Sequence, residues 1–118
     1  MKISGAASVL GVTNLDAALK FYTEVLGFRE EFRVDQYAGV CREECKIHIT
    51  TLLHPHDGKP GAGSVYIFCD EVDAYYHTVV DAHANVEAPP NDYPYGMRDF
   101  CVFDPDGNRL SFGCPVKK

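Results

Sequence analysis

The chain contains no tryptophan, and no apolar run in it approaches the roughly 20 residues that a membrane-spanning helix needs. Its Lys and Arg residues are scattered, and the formal net charge is -6. Because nucleic-acid-binding proteins gather basic residues into a patch or stripe, nucleic acid is not an expected partner. The first residues also lack the charged region, long apolar core and cleavage site of a signal peptide. These absences predict a soluble, cytoplasmic protein with neither a membrane nor a nucleic acid as partner.

The cysteines form an odd set of five without the Cys-x-x-Cys spacing of zinc ribbons and redox motifs. Such a set does not predict a disulfide framework either, because that framework needs paired cysteines. A Gly-rich phosphate loop and a Ser-His-Asp or Cys-His pattern are also missing from the sequence. We therefore predict no catalytic residue, no cofactor and five buried free thiols: Cys41, Cys45, Cys69, Cys101 and Cys114.

What the sequence does contain is one local plan that occurs twice. In the first half, a short apolar strand over 8–12 leads to Asn14, whose side chain is suited to cap a helix. Gly27 is placed to end that helix in a left-handed conformation. The helix is predicted from apolar residues at helical spacing: Leu15, Ala18, Leu19, Tyr22, Val25 and Leu26. Three short strands should follow, at roughly 28–34, 37–42 and 45–53.

The second half repeats the plan after a connector at 54–61 that is rich in Pro and Gly. A strand over 64–69 should precede a helix that Asp70 or Glu71 caps. That helix is predicted from a second apolar stripe: Val72, Tyr75, Tyr76, Val79 and Val80. A short strand, a long loop and a turn between two final strands are predicted near Val86, at 89–96 and at 104–108.

The repeated plan predicts an α+β fold of two βαβββ modules, at about 1–56 and 62–118. A hydrophobic content of 46% is sufficient for an ordinary core, so we expect one domain. Each module should form a curled sheet with a helix on its outer face, and pairing the modules creates a groove lined by strands. A ligand is expected in that groove, because small-molecule sites are concave.

Four short motifs extend along nearly the whole chain: Val12-Thr13-Asn14-Leu15-Asp16, Phe21-Tyr22, Leu26-Gly27-Phe28 and Phe103-Asp104-Pro105-Asp106-Gly107-Asn108. Together they resemble the vicinal-oxygen-chelate superfamily, which contains glyoxalases, bleomycin-resistance proteins and ring-cleaving dioxygenases. The resemblance implies the same fold of paired βαβββ modules, with a ligand groove between the sheets.

The enzymes of that superfamily hold a divalent metal, commonly with a His on the first strand of each module and a Glu after the Asp-Pro-Asp-Gly-Asn turn. Transferred residue by residue, the resemblance places these ligands at Ala7, Ser64 and Ser111. None of the three offers an imidazole or a carboxylate. The resemblance therefore implies no metal in the groove, and a ligand that is bound without being transformed.

Two further segments are similar to the bleomycin-binding branch, in which drug rings are held between aromatic side chains. These segments are 35–40, which reads Asp-Gln-Tyr-Ala-Gly-Val, and 94–100, which contains Pro-Tyr-Gly. The similarity places Tyr37 and Tyr95 at two stacking positions, with Tyr95 standing where that branch has Trp. A tyrosine ring still offers a π-face to a planar heteroaromatic group, although a smaller one.

Acidic residues and one histidine complete the candidate site. Drugs of the bleomycin type end in a cationic tail, and the acidic net charge fits such a ligand. Asp35, Asp92 and Asp99 flank the two tyrosines and are either partners for a cation or solvated surface residues. His48 lies between two isoleucines on a predicted strand, so it points away from them and is either a groove residue or a polar wall residue.

The predicted function is therefore non-enzymatic capture of a planar, cationic small molecule such as bleomycin, with resistance by sequestration. The resemblance implies a homodimer whose groove is shared between subunits. Two alternatives stay open at this point. One is a glyoxalase-like lyase or extradiol-type dioxygenase of the same superfamily that uses other metal ligands. The other is a small-molecule or peptide-binding module without a role in resistance.

Overall fold

The structure is a computed structural model that describes residues 1–117 of the chain. Its elements, in chain order, are β1 (Ser8–Gly11), α1 (Leu15–Lys20), a π-helical turn that continues α1 (Phe21–Val25), β2 (Arg29–Val34), β3 (Tyr37–Arg42), β4 (Cys45–Thr50), a 3-10 turn (Pro55–Asp57), β5 (Ser64–Phe68), α2 (Val72–Asp81), β6 (Asn85–Val86), β7 (Asn91–Asp92), β8 (Met97–Phe103) and β9 (Arg109–Pro115).

The strands form two mixed sheets. The first sheet has the order β1-β4-β3-β2, and the second has the order β5-β9-β8-β6, with β7 paired to β8. In each sheet the strand that precedes the helix runs parallel to the last strand of its half, so β1 pairs with β4 and β5 pairs with β9. The predicted α+β fold of two βαβββ modules is confirmed, while the module limits at 56 and 62 stay a prediction.

The two helices begin in different ways. Asn14 caps α1 as predicted, because its Oδ1 accepts a hydrogen bond from the backbone N–H of Ala17 at 2.9 Å. Gly27 follows the π-helical turn with φ of +78°, which confirms the predicted left-handed end. Glu71 is the N-cap residue of α2, one of the two predicted positions, but its φ is +41° and its side chain makes no capping hydrogen bond. This agrees with the preference of caps for shorter side chains.

Both helices pack their apolar stripes against one face of the sheets, α1 against the first sheet and α2 against the second. The core contains most of the predicted stripe residues together with apolar residues of β1, β3, β4, β8 and β9: Leu10, Leu15, Ala18, Leu19, Tyr22, Leu26, Ala38, Val40, Ile47, Ile49, Val72, Val79, Phe100, Val102, Leu110 and Phe112. Val80 is 37% exposed, so its predicted place in the stripe is wrong. Val79, the residue before it, is fully buried, and the next position along a helix is rotated by about 100° towards solvent.

Two further predictions need correction. The segment 89–96 was predicted as a loop, but Asn91 and Asp92 pair with β8 and form β7. All five thiols are free, but Cys45, Cys69 and Cys114 are only partly buried. Within residues 1–117, we find no helix that combines the length and the apolar character needed to cross a bilayer.

The turn between β8 and β9 fastens the two modules to each other. The carboxylate of Asp104 is buried and accepts a hydrogen bond from the hydroxyl of Tyr22 at 2.9 Å. Asn108, which is fully buried, donates from Nδ2 to the carbonyl oxygen of Gly11 at 2.8 Å. Burial raises the pKa of the Tyr22 phenol, and the charge of Asp104 raises it further. The turn motif therefore links the second module to the first through these hydrogen bonds.

Candidate functional site

The first sheet carries a cluster of three rings on the face that points away from α1. We call Phe32, Tyr37 and His48 the first-sheet cluster. The rings of Phe32 and Tyr37 are nearly parallel, with planes 14° apart and centroids 6.2 Å apart. Tyr37 Oη lies 2.8 Å from His48 Nδ1, within hydrogen-bond distance. The neighbours of His48 on β4, Ile47 and Ile49, are fully buried, so the predicted outward direction of His48 is confirmed.

A glycine makes the first-sheet cluster possible. Gly39 pairs with Phe32 across β3 and β2, next to a bulge in β2 between Glu30 and Phe32. A Cβ atom at position 39 would overlap the ring of Phe32. The absence of a side chain therefore lets the Phe32 ring lie across the strand beside Tyr37.

The second sheet carries a cluster built around one carboxylate. We call Tyr66, Tyr95 and Asp99 the second-sheet cluster. Both phenol hydroxyls donate to Oδ2 of Asp99, Tyr66 at 2.7 Å and Tyr95 at 2.6 Å. Asp99 is only 8% exposed, and the neighbouring Phe100 packs into the core on the opposite face of β8. The cluster therefore lies on the face of the second sheet that is turned away from α2.

The phenols of this cluster resist ionisation. Partial burial raises the pKa of Tyr66, and its hydrogen bond to Asp99 raises the pKa further. The hydrogen bond to Asp99 raises the pKa of Tyr95 to about 12. Both side chains are therefore neutral hydrogen-bond donors at physiological pH.

Each of the two predicted stacking tyrosines is supported by a second ring. Tyr93 stacks on Tyr95 with planes 3° apart and centroids 5.5 Å apart, and Phe32 does the same for Tyr37. Tyr95 is nevertheless 64% exposed, and Tyr37 is partly exposed. The geometry matches the offset stacking that aromatic rings prefer, and it leaves ring surface open to a ligand.

The structure does not bring all predicted ligand residues together. Tyr37 and His48 form one cluster and Tyr95 and Asp99 form the other, and within residues 1–117 no ring contact joins the two. Asp35 belongs to neither cluster and lies in the exposed turn between β2 and β3, with φ of +53°. Asp92, on β7, forms an ion pair with Arg98 at 3.0 Å.

Two clefts lie beside the clusters. One, of about 670 Å³, lies between the turn after β3, the end of β5 and the start of α2, and its described lining includes none of the five predicted ligand residues. The other, of about 420 Å³, lies between the start of β1, the start of β4 and β5, and it reaches Tyr66. We place the candidate site at the aromatic clusters because the exposed rings and the Asp99 carboxylate, the groups that can bind a planar cation, lie there.

The three positions that correspond to metal ligands do not fit a metal. Ala7 precedes β1, Ser64 begins β5, and Ser111 lies on β9 with Tyr66 and Cys101 as its cross-strand neighbours. Methyl and neutral hydroxyl groups are poor ligands for a transition metal. Within residues 1–117, no three or more His, Cys, Asp or Glu side chains are grouped to hold a metal ion.

His48 and Ser111 occupy equivalent strand positions in the two modules. Val9 pairs with His48 across β1 and β4, and Tyr66 pairs with Ser111 across β5 and β9. Val9 lies two residues after Ala7, and Tyr66 lies two residues after Ser64. Ala7 and Ser64 are the first-strand positions that correspond to metal ligands. His48 is therefore the first-module counterpart of Ser111, a relation that only the strand register reveals.

Sequence reasoning missed Phe32 and Tyr66, which belong to the clusters, and Tyr93, which stacks on Tyr95. A signal existed for Tyr66, because strand alternation in β5 separates it from Val65 and Ile67, which pack towards the core. The roles of Phe32 and Tyr93 depend on contacts across or beyond strands, which alternation does not specify.

Comparison with known proteins places the chain within a family. The family model described as Glyoxalase/Bleomycin resistance protein/Dioxygenase superfamily matches residues 6–112. A search of curated proteins gave no significant match. One similar solved structure is the bleomycin-binding protein from bleomycin-producing Streptomyces verticillus, complexed with copper(II)-bleomycin. It is 27% identical with a TM-score of 0.79, and the alignment covers 99% of each chain.

Two other solved structures show the same fold at lower identity. TnmS3, an antibiotic-binding protein from Streptomyces sp. CB03234, is 23% identical with a TM-score of 0.83, over 98% of this chain and 99% of that chain. Lactoylglutathione lyase from Agrobacterium tumefaciens is 21% identical with a TM-score of 0.77, over 97% of this chain and 96% of that chain. Binding proteins and a lyase thus share the architecture. With the family model matched over residues 6–112, the chain belongs to the Glyoxalase/Bleomycin resistance protein/Dioxygenase superfamily.

Proposed function

We propose that this protein captures a flat, cationic antibiotic of the bleomycin type in the cytoplasm and holds it without chemical change. Capture lowers the concentration of free drug, and resistance follows from that sequestration. Tyr37 and Tyr95 stack on the rings of the drug, and Asp99 and Asp35 attract its cationic part. His48 orients Tyr37 through their hydrogen bond.

The observation that carries this proposal is the paired support of the two tyrosines. A ring that already stacks on another ring is held in place, so less conformational entropy is lost when a ligand stacks on its free face. Phe32 holds Tyr37 in this way and Tyr93 holds Tyr95. Two pre-arranged π-faces suit a planar heteroaromatic ligand.

Charge supports the same class of ligand. The net charge of -6 favours the approach of cations, although it does not specify where they bind. The relative from Streptomyces verticillus, which is bound to copper(II)-bleomycin, supports an antibiotic as the ligand. The positions that correspond to metal ligands carry Ala7, Ser64 and Ser111. None of these side chains is a good metal ligand, which supports binding in preference to metal-dependent turnover.

We further propose that two copies of the chain build the complete site. The first-sheet and second-sheet clusters make no ring contact within residues 1–117, and in this proposal one ligand touches Tyr37 of one subunit and Tyr95 of the other. Apolar side chains on the same faces favour burial against another copy, since Val9, Val34 and Phe68 are 55%, 69% and 78% exposed. Sedimentation velocity should give twice the chain mass of 13.1 kDa. A monomer at concentrations that bind drug would contradict the shared site.

Calorimetric titration with metal-free bleomycin tests the stacking pair. We expect the double variant Tyr37→Ala, Tyr95→Ala to bind about 10- to 100-fold more weakly than the wild type, because two aromatic contacts of about 1 kcal/mol each are lost. Tyr37→Phe, which keeps the ring, should stay within about threefold of the wild type. His56→Ala removes an exposed ring from the connector and should leave affinity unchanged.

Two results would contradict the proposal. Equal affinity of the wild type and the double alanine variant would refute the assigned stacking positions. Stoichiometric transition metal in the purified protein, measured by elemental analysis, would instead favour the lyase or dioxygenase alternative.

A further inference from the structure

Within residues 1–117, the carboxylate of Asp99 forms no direct ion pair. Asp99 is 8% exposed. Burying a charge without compensation is unfavourable, so such a group is normally paired or fully hydrogen-bonded. The compensation here comes from the hydroxyls of Tyr66 and Tyr95, which both donate to the same oxygen, Oδ2.

The second oxygen of Asp99 is free to accept. In the described part of the chain, Oδ1 has no hydrogen-bond donor, whereas no fully buried side-chain oxygen or nitrogen lacks a partner. Oδ1 therefore reaches the surface of the site. The guanidinium of Arg109 is directed elsewhere, because Nε donates to Cys101 Sγ at 3.0 Å and Nη2 donates to Glu87 at 3.3 Å.

We infer that Oδ1 of Asp99 anchors an N–H donor on the cationic part of the ligand, such as a primary ammonium or a guanidinium, and that Tyr66 is a positioning residue for this anchor. The inference rests on the proposed function and names the class of cation that the same site selects. A charge-assisted N–H···O hydrogen bond is short and directional, and a trialkylated cation cannot form it. The anchor therefore distinguishes cations of equal charge.

The position of the anchor depends on a glycine. Gly113 on β9 pairs with Asp99 on β8 and with Phe68 on β5. A Cβ at position 113 would overlap the hydroxyl of Tyr66. The Tyr66 ring reaches across β9 only because this position has no side chain. Tyr66 then holds Oδ2 together with Tyr95 and directs Oδ1 outwards.

Two fluorescent probes with the same rings and the same charge test the anchor. They are pyrenylmethylguanidinium, which donates N–H bonds, and pyrenylmethyltrimethylammonium, which does not. Fluorescence titration of the wild type should show about tenfold tighter binding of the guanidinium probe. Asp99→Asn should reduce this ratio to below about twofold, and Tyr66→Phe should reduce it to about threefold. Asp81→Asn, at an exposed position at the end of α2 on the other side of the second sheet, changes the net charge equally and should leave the ratio at its wild-type value.

The ratio between the probes separates the anchor from a general loss of structure, which weakens both probes alike. Equal binding of both probes to the wild type would overturn the anchor while the proposed capture by aromatic rings stands. A ratio that survives in Asp99→Asn would also overturn it. Failure of both probes to bind the wild type would overturn the anchor and count against aromatic capture. Tyr66→Phe supplies a second test if Asp99→Asn does not fold.

Discussion

Replacing Asn108 by Ala should lower the free energy of unfolding by about 3 kcal/mol, because its side chain makes three hydrogen bonds of about 1 kcal/mol each, which are lost. Asn108 is completely buried. Its Nδ2 donates to the carbonyl of Gly11 and to Oδ2 of Asp104, both at 2.8 Å, and its Oδ1 accepts from the backbone N–H of Gly63 at 2.9 Å. Alanine removes the partner of the Gly63 N–H and leaves the carbonyl of Gly11 with the N–H of Gly61 alone.

Urea denaturation followed by circular dichroism gives the measurement, because the chain has no tryptophan whose fluorescence could report unfolding. Asp106→Ala is the matched control in the same turn. Asp106 accepts hydrogen bonds from Thr13 N at 3.1 Å and from Thr13 Oγ1 at 2.7 Å, but these bonds are exposed. We expect the control to cost less than about 1 kcal/mol. Equal losses in the two variants would show that the buried network has no special weight.

Replacing Gly61 by Ala should destabilise the protein by about 3 kcal/mol or more, through a forbidden backbone conformation and a direct overlap. Gly61 has φ of +86°, and a Cβ there would overlap the carbonyl oxygen of Asp106. The connector cannot move away freely, because the N–H of Gly61 donates to the carbonyl of Gly11 at 3.0 Å. The same turn that Asn108 organises therefore excludes every side chain at position 61.

Gly58→Ala separates the two causes of this loss. Gly58 has a similar φ of +82°, but the nearest atom to an added Cβ is the Cβ of Ala62 at 3.7 Å, an ordinary contact. Gly58→Ala should therefore cost only the conformational term, about 1 to 3 kcal/mol, and less than Gly61→Ala. Thermal or urea unfolding of both variants checks the difference. If both alanines cost the same, the overlap with Asp106 does not determine stability.

The turn at 104–108 shows what local patterns can and cannot predict. Its Pro and Gly content predicted a turn between two strands, and β8 and β9 confirm it. The bond from Asn108 to Gly11 joins residues 97 positions apart, and no local pattern contains that information. The missing side-chain cap at Glu71 has a related reason. The start of α2 was predicted correctly, but the backbone there adopts a left-handed conformation that sequence spacing does not reveal.

In the candidate site, too, local patterns predicted the directions of side chains but not their contacts with distant residues. Alternation along β4 predicted correctly that His48 points away from Ile47 and Ile49, because strand geometry alone determines that direction. The contacts of Tyr95 with Asp99 and Tyr93 depend on the course of the chain before β8, so motif similarity identified Tyr95 but not its partners. Asp99 was predicted as a possible partner of a cation. Its two phenol donors became visible only in three dimensions.

Because His48 is the counterpart of Ser111, the two sheets present different side chains to any ligand bound between them. The two walls have the same backbone plan, yet one presents an imidazole and the other a hydroxyl beside a cysteine. An asymmetric molecule therefore meets two chemically different sides and has one favoured orientation, with its head and tail not interchangeable. Duplication of a module followed by divergence at matching positions is enough to produce such polarity.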